Sequence, residues 1–260
     1  MTTPDLSLLV TLHNEAHLAG PALRSADLAI AAAEAAGFTV ERLIGLDAAT
    51  ETTRRFCAQP AIADRWPCRE YDFKDPFRLR NALARAATGR WVAWLDGDDL
   101  ISENWLVTAC EMLRDAPPDE TWVIHPELNW VFDGEENVFT LVDQADPLFS
   151  KAYLYFNNYW DMMSVYPRDL ALAVPYAPRR PQQGYGYEDW HWNLESMAHG
   201  VLHRIAPGTI IAKRRRAESV SRANARISAV CQPSETLRID RFWGRTCSRP
   251  KSTASPKANE

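Results

Sequence analysis

No run of 18 or more residues in this 260-residue chain is free of charge, so no transmembrane helix is expected. The first residues, MTTPDLSLLV, carry an acid and no basic segment, which argues against a secretory signal. The five cysteines (Cys57, Cys68, Cys110, Cys231, Cys247) form no CxxC pair. That scatter suggests neither zinc nor disulfides and fits a reduced, cytosolic chain. The six histidines offer no HExxH motif, so no histidine-based zinc site is suggested. A net charge of −5 lacks the cationic excess of a nucleic-acid binder. No internal repeat is visible.

What is present reads as a globular α/β protein. Hydrophobic residues make up 46% of the chain, enough for one large domain or a domain with a subdomain, and ten tryptophans are many for this length. LSLLVTL (6–12) and FTVERLIGLD (38–47) read as strands. Between them, PALRSADLAIAAAEAAG reads as a helix bracketed by Pro21 and Gly37. A short helix is expected near Glu51–Gln59 and a third strand around CREYDF (68–73). Asp75 caps the next helix, which starts at Pro76 and ends toward Gly89. RWVAWLD is the fourth strand, followed by a helix from Ser102 to about Asp115. Alternation of this kind predicts an open, mostly parallel sheet with helices on both faces, and ligands beyond its carboxyl edge. His13, Asn14, Asp47 and the acids of DGDD (96–99) fall on that edge.

The rhythm changes after Pro117–Pro118. WVIHPELNWVF, DGEE and NVFTLV predict a β-hairpin. The aromatic segment AYLYFNNYWDMMSVYP and the loop RRPQQGYGYED follow. Trp190, Leu194, Met197 and Val201 recur at helical spacing, which predicts a helix packed on the sheet. HRIAPGTIIA is the final strand and runs into KRRRAESVS. The small, polar stretch CSRPKSTASPKANE is expected to be a disordered tail.

Four features carry chemistry. Asp96, Asp98 and Asp99 are hard oxygen donors suited to Mg²⁺ or Mn²⁺, which would bridge phosphates; a solvated polar turn is the plain alternative. An EF-hand is excluded, since its glycine and late glutamate are missing. Glu188 and Asp189 open a helix after a glycine-bearing loop, where a carboxylate stays ionised and can take a hydroxyl proton, or simply caps the helix. The cations of Lys213–Arg216 are either a solvated face or a counter-charge for a departing diphosphate. Arg78 and Arg80 oppose their helix dipole, which a bound anion or ribose would explain, although a surface arginine is the bland reading. The aromatic cluster at Tyr153, Tyr155, Tyr159 and Trp160 is either core or a sugar-stacking platform.

In order, LSLLVTLHNE, a second strand ending in aspartate, RLRNALARAATGRWVAWLDGDD and GYEDW resemble glycosyltransferase family 2 over roughly residues 5 to 222. The resemblance implies the inverting GT-A fold: a Rossmann-like, mostly parallel sheet with a smaller acceptor-side hairpin and helix region. It implies a domain at 1–222, with a nucleotide-sugar half (1–116) and an acceptor and base half (117–222). A helical extension (223–246) and the tail (247–260) follow. It implies transfer of a hexose-type sugar from a nucleoside-diphosphate donor to a saccharide or lipid-linked acceptor with Mn²⁺ or Mg²⁺. The setting would be surface polysaccharide or glycolipid assembly, in the cytoplasm with at most peripheral contact with the membrane's inner face.

Residue by residue, Thr11, Asn14 and Asp47 match the nucleobase pocket, with His13, Glu15 and Gly97 also in the donor site. Arg80 matches the nucleotide-contacting arginine. Asp96 would lie near the ribose, Asp98 on the metal, and Asp99 is an extra acid of the metal cluster. Asp189 matches the base, with Glu188 beside it. Arg214, Arg216, Ser219 and Ser221 match a basic-plus-serine segment over the diphosphate. Its frequent histidine is Arg216 here, which favours direct phosphate contact over a histidine metal ligand. Asn158, Trp160, Asp161, Tyr187 and Trp190 would touch the acceptor. Two other readings stay open: a non-catalytic nucleotide-sugar binder of the same fold, and a nucleotidyltransferase. The latter would want a glycine-rich loop where LHNEAHLAG stands, and a DxD phosphatase would carry its nucleophile on the first strand.

Overall fold

The computed structural model describes residues 3–217, 219–235 and 238. The chain begins with β1 (Leu6–Leu12), α1 (Ala19–Ala35), β2 (Val40–Asp47), α2 (Glu51–Cys57), α3 (Pro60–Ala63) and β3 (Cys68–Tyr71). Next come α4 (Pro76–Ala86), β4 (Trp91–Asp96), β5 (Leu100–Ile101), α5 (Trp105–Asp115), β6 (Trp122–Phe132) and β7 (Asn137–Thr140). The remainder is β8 (Val165–Pro167), α6 (Arg168–Ala173), β9 (Tyr185–Gly186), α7 (Glu188–Ala198), β10 (Leu202–Arg214), α8 (Val220–Arg226) and β11 (Val230–Cys231). Elements α8 and β11 overlap the start of the expected helical extension at 223–246. Most of the rest of that stretch, and the whole expected tail at 247–260, lie outside the described residues.

Nine strands form one sheet in the order β3-β2-β1-β4-β8-β6-β10-β5, with β7 paired to β6. β3, β2, β1 and β4 are parallel, as are β6 and β10. β8 is inserted antiparallel to both β4 and β6. Every residue of β1 is buried, as a central strand covered on both faces requires. Its register sets Thr11 beside Gly45 on one side and Asp96 on the other, so β1 and β4 end together.

The many tryptophans are explained by the core. Trp66, Trp94, Trp105 and Trp192 are fully buried. Three of these indoles donate inside the protein: Trp94 to Tyr166 Oη (2.7 Å), Trp192 to the Val174 carbonyl (2.7 Å) and Trp66 to Asp27 (3.2 Å). Satisfying the N–H lets so large an apolar ring be buried without a polar penalty.

Three local expectations are revised. Gly89 does not end α4: the helix stops at Ala86 and Ala87 is already extended. Gly89 instead passes so close to β1 that a Cβ would stand 2.6 Å from Ser7 N. The helix α5 starts at Trp105 rather than Ser102, whose Oγ accepts from Ile210 N (3.0 Å) and joins the helix approach to β10. The stripe Trp190, Leu194 and Met197 packs on a separate small cluster with Leu154, Phe149 and Tyr159 rather than on the sheet. Trp192 is the residue of α7 that enters the main core, stacked on Tyr166 and Tyr176 at 4.7 and 5.3 Å.

Candidate active site at the carboxyl edge of the sheet

The floor of the site is built where β1 and β4 end. Asp96 Oδ1 accepts from Thr11 Oγ1 (2.9 Å) and from the guanidinium of Arg80, which α4 carries. Arg80 is only 4% exposed, and its guanidinium also lies over Phe77. Burial opposes ionisation of Asp96, but Arg80, Lys213 and the hydrogen bonds outweigh it and hold its pKa below the ordinary value. The inward Arg80 thus has an anion partner inside the protein, which accounts for a cation early in α4. Its neighbour Asn81 exchanges two hydrogen bonds with the Tyr176 backbone (2.8 and 2.9 Å) and clamps the loop that leads toward α7.

The turn after β4 depends on Gly97. A Cβ there would come within 1.9 Å of Leu12 Cδ2 and 2.9 Å of the Thr11 carbonyl, so only glycine lets the turn lie on the end of β1. The turn sends its two acids in different directions. Asp98 Oδ2 faces Arg216 Nη1 at 3.1 Å, while its Oδ1 takes no hydrogen bond from the described residues. Arg216 also reaches Glu15 Oε1 (3.1 Å) and Asn14 Oδ1 (2.8 Å), and so ties the loops after β1 and β4 to the end of β10. Burial, then the charges of Asp96 and Glu15, raise the pKa of Asp98; Arg216 offsets them. Asp99 is 3% exposed, with Oδ1 accepting from Arg214 N (2.8 Å) and Oδ2 3.8 Å from Lys213 Nζ. Both oxygens are engaged. In this arrangement Asp99 anchors β10 rather than presenting a free oxygen.

Asp98 and Asp96 each keep an oxygen without a partner among the described residues, and that pair of hard donors fits a divalent cation. No three or more His, Cys, Asp or Glu side chains among the described residues are grouped to hold an ion by themselves. A magnesium-like ion bound here would complete its shell with water and donor phosphates, as such ions do.

Asp47 differs from expectation. It is 5% exposed, and its carboxylate accepts from Phe73 N, Lys74 N (3.1 Å) and Asp75 N (2.9 Å). Its oxygens shape the loop before α4 and are not free to read a base. His13 is exposed, with Nδ1 2.7 Å from the Asp47 carbonyl. An open cleft of about 570 Å³, lined by Ala48, Arg54, Glu70, Tyr71 and Asp72, lies beside this strand end.

On the other side, α7 begins at Glu188, after Tyr187 has adopted a left-handed backbone (φ 58°). Asp189 is half-buried. Burial and then the charge of Asp161 raise its pKa, while the Trp190 N–H and Lys213 pull it down. Glu188 is 0% exposed, and neither carboxylate oxygen has a hydrogen-bond partner, with Arg179 Nε 3.9 Å away. It is closed off from solvent there, unlike its half-buried neighbour Asp189. Trp160 is likewise interior at 2% exposure, stacked on His203 at 4.2 Å and donating to the Val142 carbonyl (2.7 Å). Asn158 bonds the Trp160 carbonyl (2.6 Å) and Asn193 (3.1 Å), bracing α7 from within. Of the five residues expected at the acceptor, Tyr187 and Trp190 remain half-exposed with no such bracing role, although the Trp190 indole N–H is buried without a partner; Asp161 is half-buried, with Oδ1 accepting from Met163 N (3.0 Å) and Oδ2 from Lys213 Nζ (2.8 Å).

Ser219 caps α8 by accepting from Arg222 N (3.2 Å), which accounts for it without a ligand. Arg214 donates to the Asp98 carbonyl (3.2 Å) and pairs with Asp133. Lys213 was not singled out from the run of cations, yet it meets both Asp161 and Asp99. The strand period could have shown this. Ile211 is fully buried, and two residues along β10 the same face carries Lys213.

This architecture recurs in solved structures. TarS 1–349 of S. aureus in complex with UDP-GlcNAc matches with a TM-score of 0.61 at 14% identity, over 87% of this chain and 61% of that one. The same protein with UDP gives 0.58 at 15%, over 89% and 68%. The mannosyltransferase PcManGT of Pyrobaculum calidifontis in complex with GDP-Man and Mn²⁺ gives 0.57 at 16%, over 85% and 59%. The chain thus spans about three fifths of the length of the first of these structures. These likenesses define the class: the chain has the GT-A fold. Within that class, the model of glycosyl transferase family 2 matches residues 7–138, just over half of the sequence, and the chain belongs to that family. No curated sequence matches it.

Proposed function

We propose that this protein is an inverting, cation-dependent glycosyltransferase that moves a sugar from a nucleoside diphosphate to an acceptor hydroxyl, in polysaccharide or glycolipid assembly. The observation that carries the reading is Asp189. It is a half-buried carboxylate at a helix start, and the same Lys213 influences it and the acids of the DGDD turn. Burial makes it more basic than a surface aspartate, which suits a group that must accept a proton.

In this reading Asp189 takes the proton of the acceptor hydroxyl. The freed oxygen pair forms the bond to the anomeric carbon while the old bond to the diphosphate oxygen breaks and its electron pair leaves with the nucleotide. A single displacement of this kind needs one base and no protein nucleophile, and so inverts the centre. Asp98 and Asp96 would hold the divalent cation, which when bound supplies positive charge to the diphosphate. Arg216 would exchange its contacts with Glu15 and Asp98 for phosphate oxygens, and Arg214 would stay at the turn. The donor's nucleoside would rest against Thr11, Asn14 and Arg80, with Asp47 shaping the wall. Asp161, Tyr187 and Trp190 would meet the acceptor. Among the described residues no helix is long and apolar enough to cross a membrane, so a lipid-linked acceptor would be met by surface contact.

Calorimetry with UDP-, dTDP- and GDP-sugars, with and without Mn²⁺, tests the donor site. One donor class should bind more tightly with the cation, and D98N should lose that increment. Cation-stimulated affinity that survives in D98N would overturn the assignment of Asp98. Release of free sugar from the bound donor would separate an enzyme from a binder of the same fold.

A further inference from the structure

We propose that Lys213 is a positioning residue that joins the donor-side acids to the acceptor-side acid and thereby governs the charge around Asp189. Its Nζ stands 2.8 Å from Asp161 Oδ2 and 3.8 Å from Asp99 Oδ2. Among the described residues no other cation pairs with both the DGDD turn and the segment that holds Asp161. Both acids are fixed independently of the lysine. Asp161 Oδ1 accepts from Met163 N (3.0 Å), and Asp99 Oδ1 accepts from Arg214 N (2.8 Å). The ammonium therefore fills a gap between two anchored carboxylates instead of drawing loose ones together.

The consequence falls on Asp189, and this inference rests on the reading of Asp189 as the base. The groups that face it are Asp161, Lys213 on β10, Glu188 on its own helix, Tyr176 from the loop clamped by Asn81, and Cys231 on β11. Of the charges, Asp161 favours the protonated form of Asp189 and Lys213 favours the ionised form. Asp161 acts more strongly than Lys213, so the lysine offsets part of that charge and keeps Asp189 less basic than it would otherwise be. Without it, the charge of Asp161 acts on Asp189 with no offset from the lysine.

The test is the acid limb of the kcat/KM profile, which reports the free enzyme's base. K213M should move that limb up by about one pH unit, the lower end of what a nearby charge does. D161N should move it down, and K213R should leave it in place. A lysine with only a structural role would lower the whole profile without moving the limb. Where K213M does not fold, K213Q, which keeps a hydrogen bond to Asp161, takes its place with the same expected direction. Carboxylate ¹³C NMR titration of Asp189, assigned through D189N, reads its proton affinity without turnover. Shifts in the NMR titration without shifts in the limb would refute Asp189 as the base while upholding the role of Lys213. No NMR shift, or shifts in the same direction for K213M and D161N, would overturn the proposal.

Discussion

Replacing Asp47 by alanine separates two accounts of the same residue. The family resemblance puts its carboxylate against the nucleobase, whereas the structure spends that carboxylate on the backbone N–H groups of Phe73, Lys74 and Asp75. Hydrogen bonds to an ionised group contribute about 1.5–3 kcal/mol each. They will not add in full, because Phe73 is half-buried and Lys74 exposed, so water can recover those two amides; only Asp75 is buried. Lys74 also holds a left-handed backbone (φ 55°) that costs about 1–2 kcal/mol unless its surroundings impose it. We therefore expect D47A to lose about 2–4 kcal/mol without any donor present, and D47N, which keeps one acceptor oxygen, to lose about half of that. Urea unfolding followed by far-UV circular dichroism should show a lower midpoint with an unchanged slope. A D47A midpoint equal to wild type, together with lost donor binding, would refute the reasoning and return Asp47 to the base pocket.

Two further outcomes follow from buried charge. R80A removes the buried guanidinium partner of Asp96 and should cost about 3 kcal/mol, the lower end for a broken buried pair because Thr11 and Lys213 remain, in the same unfolding assay, with R80K recovering part; a wild-type midpoint would contradict the pairing. E188Q should be more stable than wild type at about pH 7–8, because burial, with smaller contributions from Asp189 and Asp75, holds the Glu188 pKa above its unfolded value. Stability from such a group is fully present below the unfolded pKa and is lost as pH rises through the raised one. The advantage of E188Q in thermal melts should accordingly vanish near about pH 4; an advantage independent of pH would point to packing instead.

The parts of this fold that could be read in advance are those decided locally. β1 is a continuous apolar run, α4 is announced by Asp75 and Pro76, and the hairpin of β6 and β7 by the turn at 133–136. β8 could not be seen as a sheet member, because three residues (Val165–Pro167) are too few for a period and their partners lie on distant strands. Gly89 looked like a helix terminator because the tight approach to Ser7 is made by a residue 82 positions away. The site followed the same rule. Residue types at a strand end marked Asp96 and Asp98, and positions in the first turns of helices marked Arg80 and Asp189. The inward burial of Glu188 and Trp160, the capping by Ser219 and the bridge made by Lys213 depend on which way each side chain leaves its element. One sequence does not carry that information except where a strict strand period reveals it, as for Lys213.

The central claim is that Asp189 removes the proton from the acceptor, and D189N tests it most directly once a donor and acceptor are in hand. The substitution keeps the shape and removes the basic oxygen. Transfer should fall by about 10²–10⁴-fold, the contribution of a positioned general base, with calorimetric affinity for the donor unchanged and the folded state intact. Transfer by D189N at a rate near that of the wild type would contradict the account.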